Sequence, residues 1–197
     1  LMNKRESTNL NLTVLTFNIL NPNDGQESNK SMDAKFEKIL YLHKSHQPNV
    51  FILQEFPLDH SKILELMLPE YTWYKTVTHN DWCVTVGTRL DVISTQCIDF
   101  TETSGNGAVL LRITANLTIG GIHLPFFKNN ANKHFSETID KISSRDYLLF
   151  GDFNLELPQD VGRTKWYYDT IESLSSVDKY DTSNKKTVKT TMETSPP

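Results

Sequence analysis

Apolar residues along this 197-residue chain follow two rhythms, and the changes from one to the other predict its elements. Leu12-Thr13-Val14-Leu15-Thr16-Phe17 alternates and is rich in β-branched side chains, as a strand should be, and it ends on Asn18. Between Ser31 and Gln47, Met32, Phe36, Ile39, Leu40 and His43 recur at helical spacing, with Ser31 placed to cap the helix and Pro48 to stop it. Val50-Phe51-Ile52-Leu53 is a continuous apolar run, short enough for a strand buried on both faces, and it delivers Gln54 and Glu55 at its end. A second helical pattern over 58–68 runs through Ile63, Leu64, Met67 and Leu68 and is closed by Pro69.

The middle of the chain changes to short strand patterns at 71–77, 82–88, 92–100, 107–115 and 117–124, divided by turn signals such as Asn80-Asp81 and Leu90-Asp91. This half is expected to be an antiparallel meander. A helix follows over 129–142, with Phe135, Ile139 and Ile142 inward. Tyr147-Leu148-Leu149-Phe150 then reads as a buried strand that stops abruptly at Gly151-Asp152-Phe153-Asn154. Residues 1–10 form a polar arm, 11–178 one folded domain, and 179–197 a Lys/Thr/Ser-rich loop or tail, with one more helix expected over 166–174. No internal repeat is visible in the sequence.

Composition narrows the class. Hydrophobic content of 38% with 22% charged residues is ordinary for a soluble domain, and no apolar run approaches the ~18 residues of a membrane span. No signal peptide is visible, and an intracellular location is expected. The net charge of -4, with only five Arg among 20 basic residues, gives no global basic field for nucleic acid. Two cysteines are too few for a disulfide scaffold. Cys83 and Cys97 flank Leu90 symmetrically, so a hairpin there brings them opposite each other; otherwise they are two buried thiols.

Four strands therefore end in Asn18, Glu55, His123 and Asp152 with Asn154, and each residue has a plain alternative. Asn18 can start a turn, His123 between Ile122 and Leu124 can be a satisfied core histidine, and Gly151-Asp152 is itself turn-forming. Glu55 is harder to dismiss, since a carboxylate ending a buried run needs a cation or donors. Together they suit phosphate ester hydrolysis. A hard divalent cation takes oxygen ligands, Asp152 can orient a water, Asn154 can donate to a phosphoryl oxygen, and His123 can donate to developing negative charge. No Gly-rich phosphate loop, zinc spacing or nucleophile elbow competes.

In order and position, Thr16-Phe17-Asn18-Ile19, Leu53-Gln54-Glu55, His123-Leu124-Pro125 and Gly151-Asp152-Phe153-Asn154 resemble the endonuclease/exonuclease/phosphatase (deoxyribonuclease I-like) superfamily. The resemblance implies a four-layer αββα sandwich, two mixed or antiparallel sheets packed face to face with helices outside. It implies Mg²⁺, with Mn²⁺ as a substitute, held by Glu55 and Asn18. Asp152 is matched to the residue that positions the attacking water, Asn154 to a phosphate holder, and His123 to the family histidine that contacts the phosphate or assists the leaving group.

One departure stands out. The family pattern closes on a strand carrying Asp-His, whereas no His follows His134 here. The expectation is a chain that stops short of its last strand or strands, leaving a sheet edge for a partner or for self-association. The function expected is metal-dependent phosphodiester hydrolysis, with a nuclease acting on DNA or RNA first. A phosphoinositide phosphatase or sphingomyelinase-like enzyme, or an impaired binding module of the same fold, are the alternatives.

Overall fold

The structure is a computed structural model describing residues 11–19, 32–76, 82–100, 106–125 and 128–154. Among these, eight strands form two four-stranded sheets. The first contains β1 (Val14–Asn18), β2 (Val50–Pro57), β3 (Thr72–Lys75) and β4 (Trp82–Thr88), in the order β1-β2-β4-β3. The second contains β5 (Ser94–Asp99), β6 (Gly107–Arg112), β7 (Leu117–His123) and β8 (Asp146–Asp152), in the order β5-β6-β7-β8. Helices α1 (Met32–His46), α2 (Ser61–Met67) and α3 (Lys128–Asp140) complete it, with a 3₁₀ turn at Leu58–His60 leading into α2. The αββα expectation is met.

Two parallel pairs organise the sheets. β1 runs parallel to β2 with α1 as the crossover, and β7 runs parallel to β8 with α3 as the crossover; all other pairings are antiparallel. Counted from β1 and from β8, the sheets repeat one scheme: parallel, antiparallel, antiparallel. A repeat that is invisible in the sequence is thus present in the architecture.

Strand periodicity accounts for the layers. Phe51, Leu53 and Phe56 point to the outer face of the first sheet, where they pack with Phe36 and Ile39 of α1, Leu64 of α2 and Leu68 just after it. Val50 and Ile52 point inward and meet Val84, Val86, Val109, Leu111 and Ile119 between the sheets. Gly121 belongs to this inner face, and a Cβ there would lie 2.7 Å from Val86 and 2.8 Å from Ile52. On the other side, α3 buries Ala131, His134, Phe135 and Thr138, and the His134 ring stacks on Phe100 at 4.3 Å.

Several expectations change. β4 and β5 belong to different sheets, so the chain crosses over at 89–93 and no hairpin turns at Leu90. The continuous meander is instead a β3-β4 hairpin and a β5-β6-β7 meander. Consequently Cys83 and Cys97 do not face each other: Cys83 is buried, and Cys97 is exposed on β5. The run 147–150 is not wholly buried either, because β8 has β7 on one side only among the described residues and leaves Leu148 exposed. Ile63, expected inward on α2, is also exposed, while Leu64 and Leu68 carry the packing. The cap at Ser31, the arm, the helix over 166–174 and the tail lie outside the described residues.

α1 ends without a glycine. Gln47 takes the left-handed conformation (φ 44°) and its N–H bonds to the His43 carbonyl at 2.8 Å, so Pro48 follows a closed helix end. Tyr71 anchors that end through its hydroxyl, which donates to the Pro48 carbonyl at 2.6 Å. Burial pushes the Tyr71 phenol up to about 12, against the pull of the Arg89 guanidinium, with Glu70 adding to the rise.

Two outcomes follow from this packing. Because the phenol is raised on folding, the stability it contributes is present in full below pH 10 and is lost as pH climbs towards 12. Ultraviolet titration of the folded protein should show one tyrosine ionising near 12, and the tyrosine that moves should vanish in Tyr71→Phe. At Gly151 (φ 144°), a Cβ would lie 1.9 Å from the Ile122 carbonyl oxygen. Gly151→Ala should lower the urea unfolding free energy by about 1–3 kcal/mol by prising β8 from β7; an unchanged midpoint would contradict this register.

Candidate active site

Because parallel strands finish at the same end, β1 and β2 deliver their last residues together, and so do β7 and β8. The sheets pack so that β1 lies against β8. Four strand ends thereby share one rim. Residue parity then selects what enters it: Val14, Thr16 and Asn18 share the inner face of β1, Ile119, Gly121 and His123 that of β7, and Phe150 and Asp152 that of β8.

Glu55 enters by a different device. With Val50 and Ile52 inward, strict alternation brings Gln54 to the inner face and sends Glu55 towards the helices. Between Leu53 and Phe56 the pairing with β4 slips, so that three steps along β2 match two along β4, which is a β-bulge. Glu55 is the extra residue, held at φ 52°. The left-handed conformation is strained for a residue with a Cβ. It frees Glu55 from the alternation and turns its carboxylate into the rim, while Phe56 returns to the outer core.

The rim is a compact polar cluster. The Asn18 side-chain nitrogen donates to Glu55 Oε1 at 2.8 Å and to Asp152 Oδ2 at 3.0 Å, so one amide joins two carboxylates. His123 Nε2 lies 3.8 Å from that Glu55 oxygen and 4.0 Å from that Asp152 oxygen, close enough for charge attraction when protonated and beyond hydrogen-bond range. His123 is nearly buried, whereas the Glu55 and Asp152 side chains keep 23% and 30% exposure, so a ligand can reach the acids from solvent.

Asp152 is held from behind. Its Oδ1 accepts the Asn154 backbone N–H at 2.8 Å, and Leu124 N–H donates to the Asp152 carbonyl at 2.9 Å. Asn154, at φ 51°, donates its side-chain amide to the Leu124 carbonyl. Of the residues singled out in the sequence, Asn18, Glu55, His123 and Asp152 thus converge directly. Asn154 adjoins them, with its amide engaged by the backbone behind Asp152.

Gln54 was given no role in the sequence, yet it is almost fully buried and ties β2 to β1. Its side-chain amide donates to Thr16 Oγ1 at 3.0 Å, and its backbone carbonyl accepts the Ile19 N–H at 3.0 Å. The signal was available: a Gln closing a run of four apolar residues needs a buried partner.

Among the described residues no group of three or more His, Cys, Asp or Glu side chains is arranged to hold a metal ion by itself. The donors at the rim are nonetheless hard oxygens: two carboxylates and an amide. That set fits Mg²⁺, which is held by one or two carboxylates and otherwise keeps waters and substrate oxygens.

No protein-family model and no curated protein sequence matches the chain. Solved structures do. D. rerio TDP2, in a complex with a single-strand DNA product, superposes with a TM-score of 0.62 at 18% identity, over 79% of this chain and 64% of that one. ANGEL2, described as a 2',3'-cyclic phosphatase, gives 0.57 at 17% identity, over 73% and 52%. An endonuclease/exonuclease/phosphatase family protein from Bacteroides thetaiotaomicron gives 0.58 at 16%, over 81% and 68%. The chain spans between about half and two thirds of the length of the TDP2 structures it matches. With two sheets face to face, helices outside and its polar strand ends on one rim, the chain has the endonuclease/exonuclease/phosphatase fold.

Proposed function

We propose that the rim hydrolyses phosphate esters with Mg²⁺, and that its substrate is a nucleic-acid phosphodiester. The observation that carries this reading is the Asn18 amide shared by two partly exposed carboxylates beside a nearly buried histidine. Such a cluster offers oxygen donors, a group to orient water and a group to face developing negative charge, within one opening. The nucleic-acid preference draws support from structures of the same fold, one holding a single-strand DNA product and another described as acting on 2',3'-cyclic phosphate.

In this mechanism Glu55 and Asn18 would hold Mg²⁺, which when bound would supply charge neutralisation for the phosphoryl oxygens. Asp152, fixed by the Asn154 N–H, accepts a hydrogen bond from the attacking water and aims its lone pair at phosphorus. His123 faces the leaving side and donates to the oxygen that gains charge. Asn154 contributes by keeping Asp152 and the end of β7 in register. The bulge at Glu55 and the left-handed Asn154 carry the strain that holds the carboxylates ready.

The test is Mg²⁺-dependent cleavage of an end-labelled single-stranded oligonucleotide. Asp152→Asn should lower turnover about 10²- to 10⁴-fold. Glu55→Gln should instead raise the Mg²⁺ concentration needed for activity and reduce the thermal stabilisation that Mg²⁺ gives. Cleavage that persists in excess chelator would sink the reading. Asn18→Ala removes the donor between two like charges and should cost about 1–2 kcal/mol of stability without metal, and more in saturating Mg²⁺, because a variant lacking one ligand gains less from the ion; equal losses in both conditions would separate Asn18 from the metal site.

A further inference from the structure

The second sheet carries a feature at the end opposite the rim. On its outer face, cross-strand partners align as Ser94–Arg112–Thr118, with Gln96–Leu110 in the next row. α3 covers this face towards the His123 end and stops at Asp140, so the last rows stay uncovered. The turn at Lys141–Ser143 closes over them, leaving a depression of about 150 Å³ lined by Ser94, Gln96, Arg112, Thr118, Lys141 and Ser143. A single water needs about 10–15 Å³ on such a measure, so the space takes a tetrahedral oxyanion with part of its hydration.

Its chemistry is one-sided. Arg112 and Lys141 supply two cations, no acidic side chain lines the space, and neither cation has a carboxylate partner among the described residues. In a chain with a net charge of -4 that pairing is unusual. The Arg112 guanidinium is also held in place. Its Nε donates to the Thr114 carbonyl at 3.4 Å and its Nη2 to the Ala115 carbonyl at 2.9 Å, which leaves three of its five N–H groups to face a ligand. Ser94 and Ser143 add hydroxyls that bond to no other described residue. The C-terminus of α3 works against an anion here, but it is one partial charge against two full ones.

We propose that this depression is a second anion site, binding a phosphate-type oxyanion between Arg112 and Lys141. It lies about 17 Å from His123, the length of five strand residues, so one phosphate cannot occupy both places. The proposal stands independently of the phosphoesterase reading. The oxyanion has two possible sources, free phosphate or the backbone of a nucleic acid that reaches around the second sheet.

The experiment is a backbone amide NMR titration of the full chain with inorganic phosphate at constant ionic strength. Saturable shifts are expected at Ser94 to Gln96, Arg112 and Lys141 to Ser143, while shifts at Asn18, Glu55, His123 and Asp152 report the rim separately. Lys141→Gln changes an exposed side chain and should weaken the first set about fivefold or more, leaving the rim untouched. Arg112→Gln should do the same more strongly. Absence of saturable shifts there, equal shifts with chloride, or an unaltered Lys141→Gln titration would each overturn the proposal. A short oligonucleotide without terminal phosphate assigns the source: if it moves the same amides the site takes backbone phosphodiesters, and if only inorganic phosphate does, it takes the free ion or a monoester.

Discussion

Parallel pairing at one edge of each sheet is the constraint on which everything else rests. An antiparallel pair sends its ends in opposite directions, whereas β1 with β2 and β7 with β8 finish together. The crossovers this requires are α1 and α3, and they are the helices that cover the two outer faces. One topological choice thus supplies both the cover for the core and the convergence of the polar ends. The inter-sheet packing of Val50, Ile52, Val84 and Val86 on Val109, Leu111 and Ile119 then sets the two pairs edge to edge.

Much of this was legible in the sequence, and the reason is simple. An apolar run that stops at a polar residue marks a strand end, so Asn18, Glu55, His123 and Asp152 stood out before any contact was known. What the pattern lacked was the partner of each strand. The turn residues at Leu90-Asp91 announce a change of direction, but nothing local distinguishes a hairpin from a step to the other sheet, which is what occurs. Burial of β8 was overstated for a related reason. Tyr147 to Phe150 is apolar, but its exposure is set by its place beside β7 and not by its composition.

The backbone details at the site were out of reach. A period of two puts Glu55 on the wrong face, and only the slip against β4 corrects it. Asn154 carries a similar surprise: its side chain reads as free to meet a ligand, and in the structure it bonds to the Leu124 carbonyl. Both residues have positive φ without being glycine; Asn tolerates that conformation, whereas at Glu55 local propensity argues against it and surrounding contacts must enforce it. Departures from sequence rules concentrate at the rim, where geometry outweighs local preference.

The Asn18–Asp152 hydrogen bond joins residues 134 positions apart. Closing so long a segment is entropically expensive and is compensated only when the intervening strands have found their places. The polar rim is therefore a late acquisition of the folding chain. During synthesis, Asn18 and Glu55 emerge long before Asp152 exists, so the ribosome-bound half lacks the opposing acid. Chemistry at this rim is in effect withheld until both sheets have formed and docked, which couples any activity to completion of the fold.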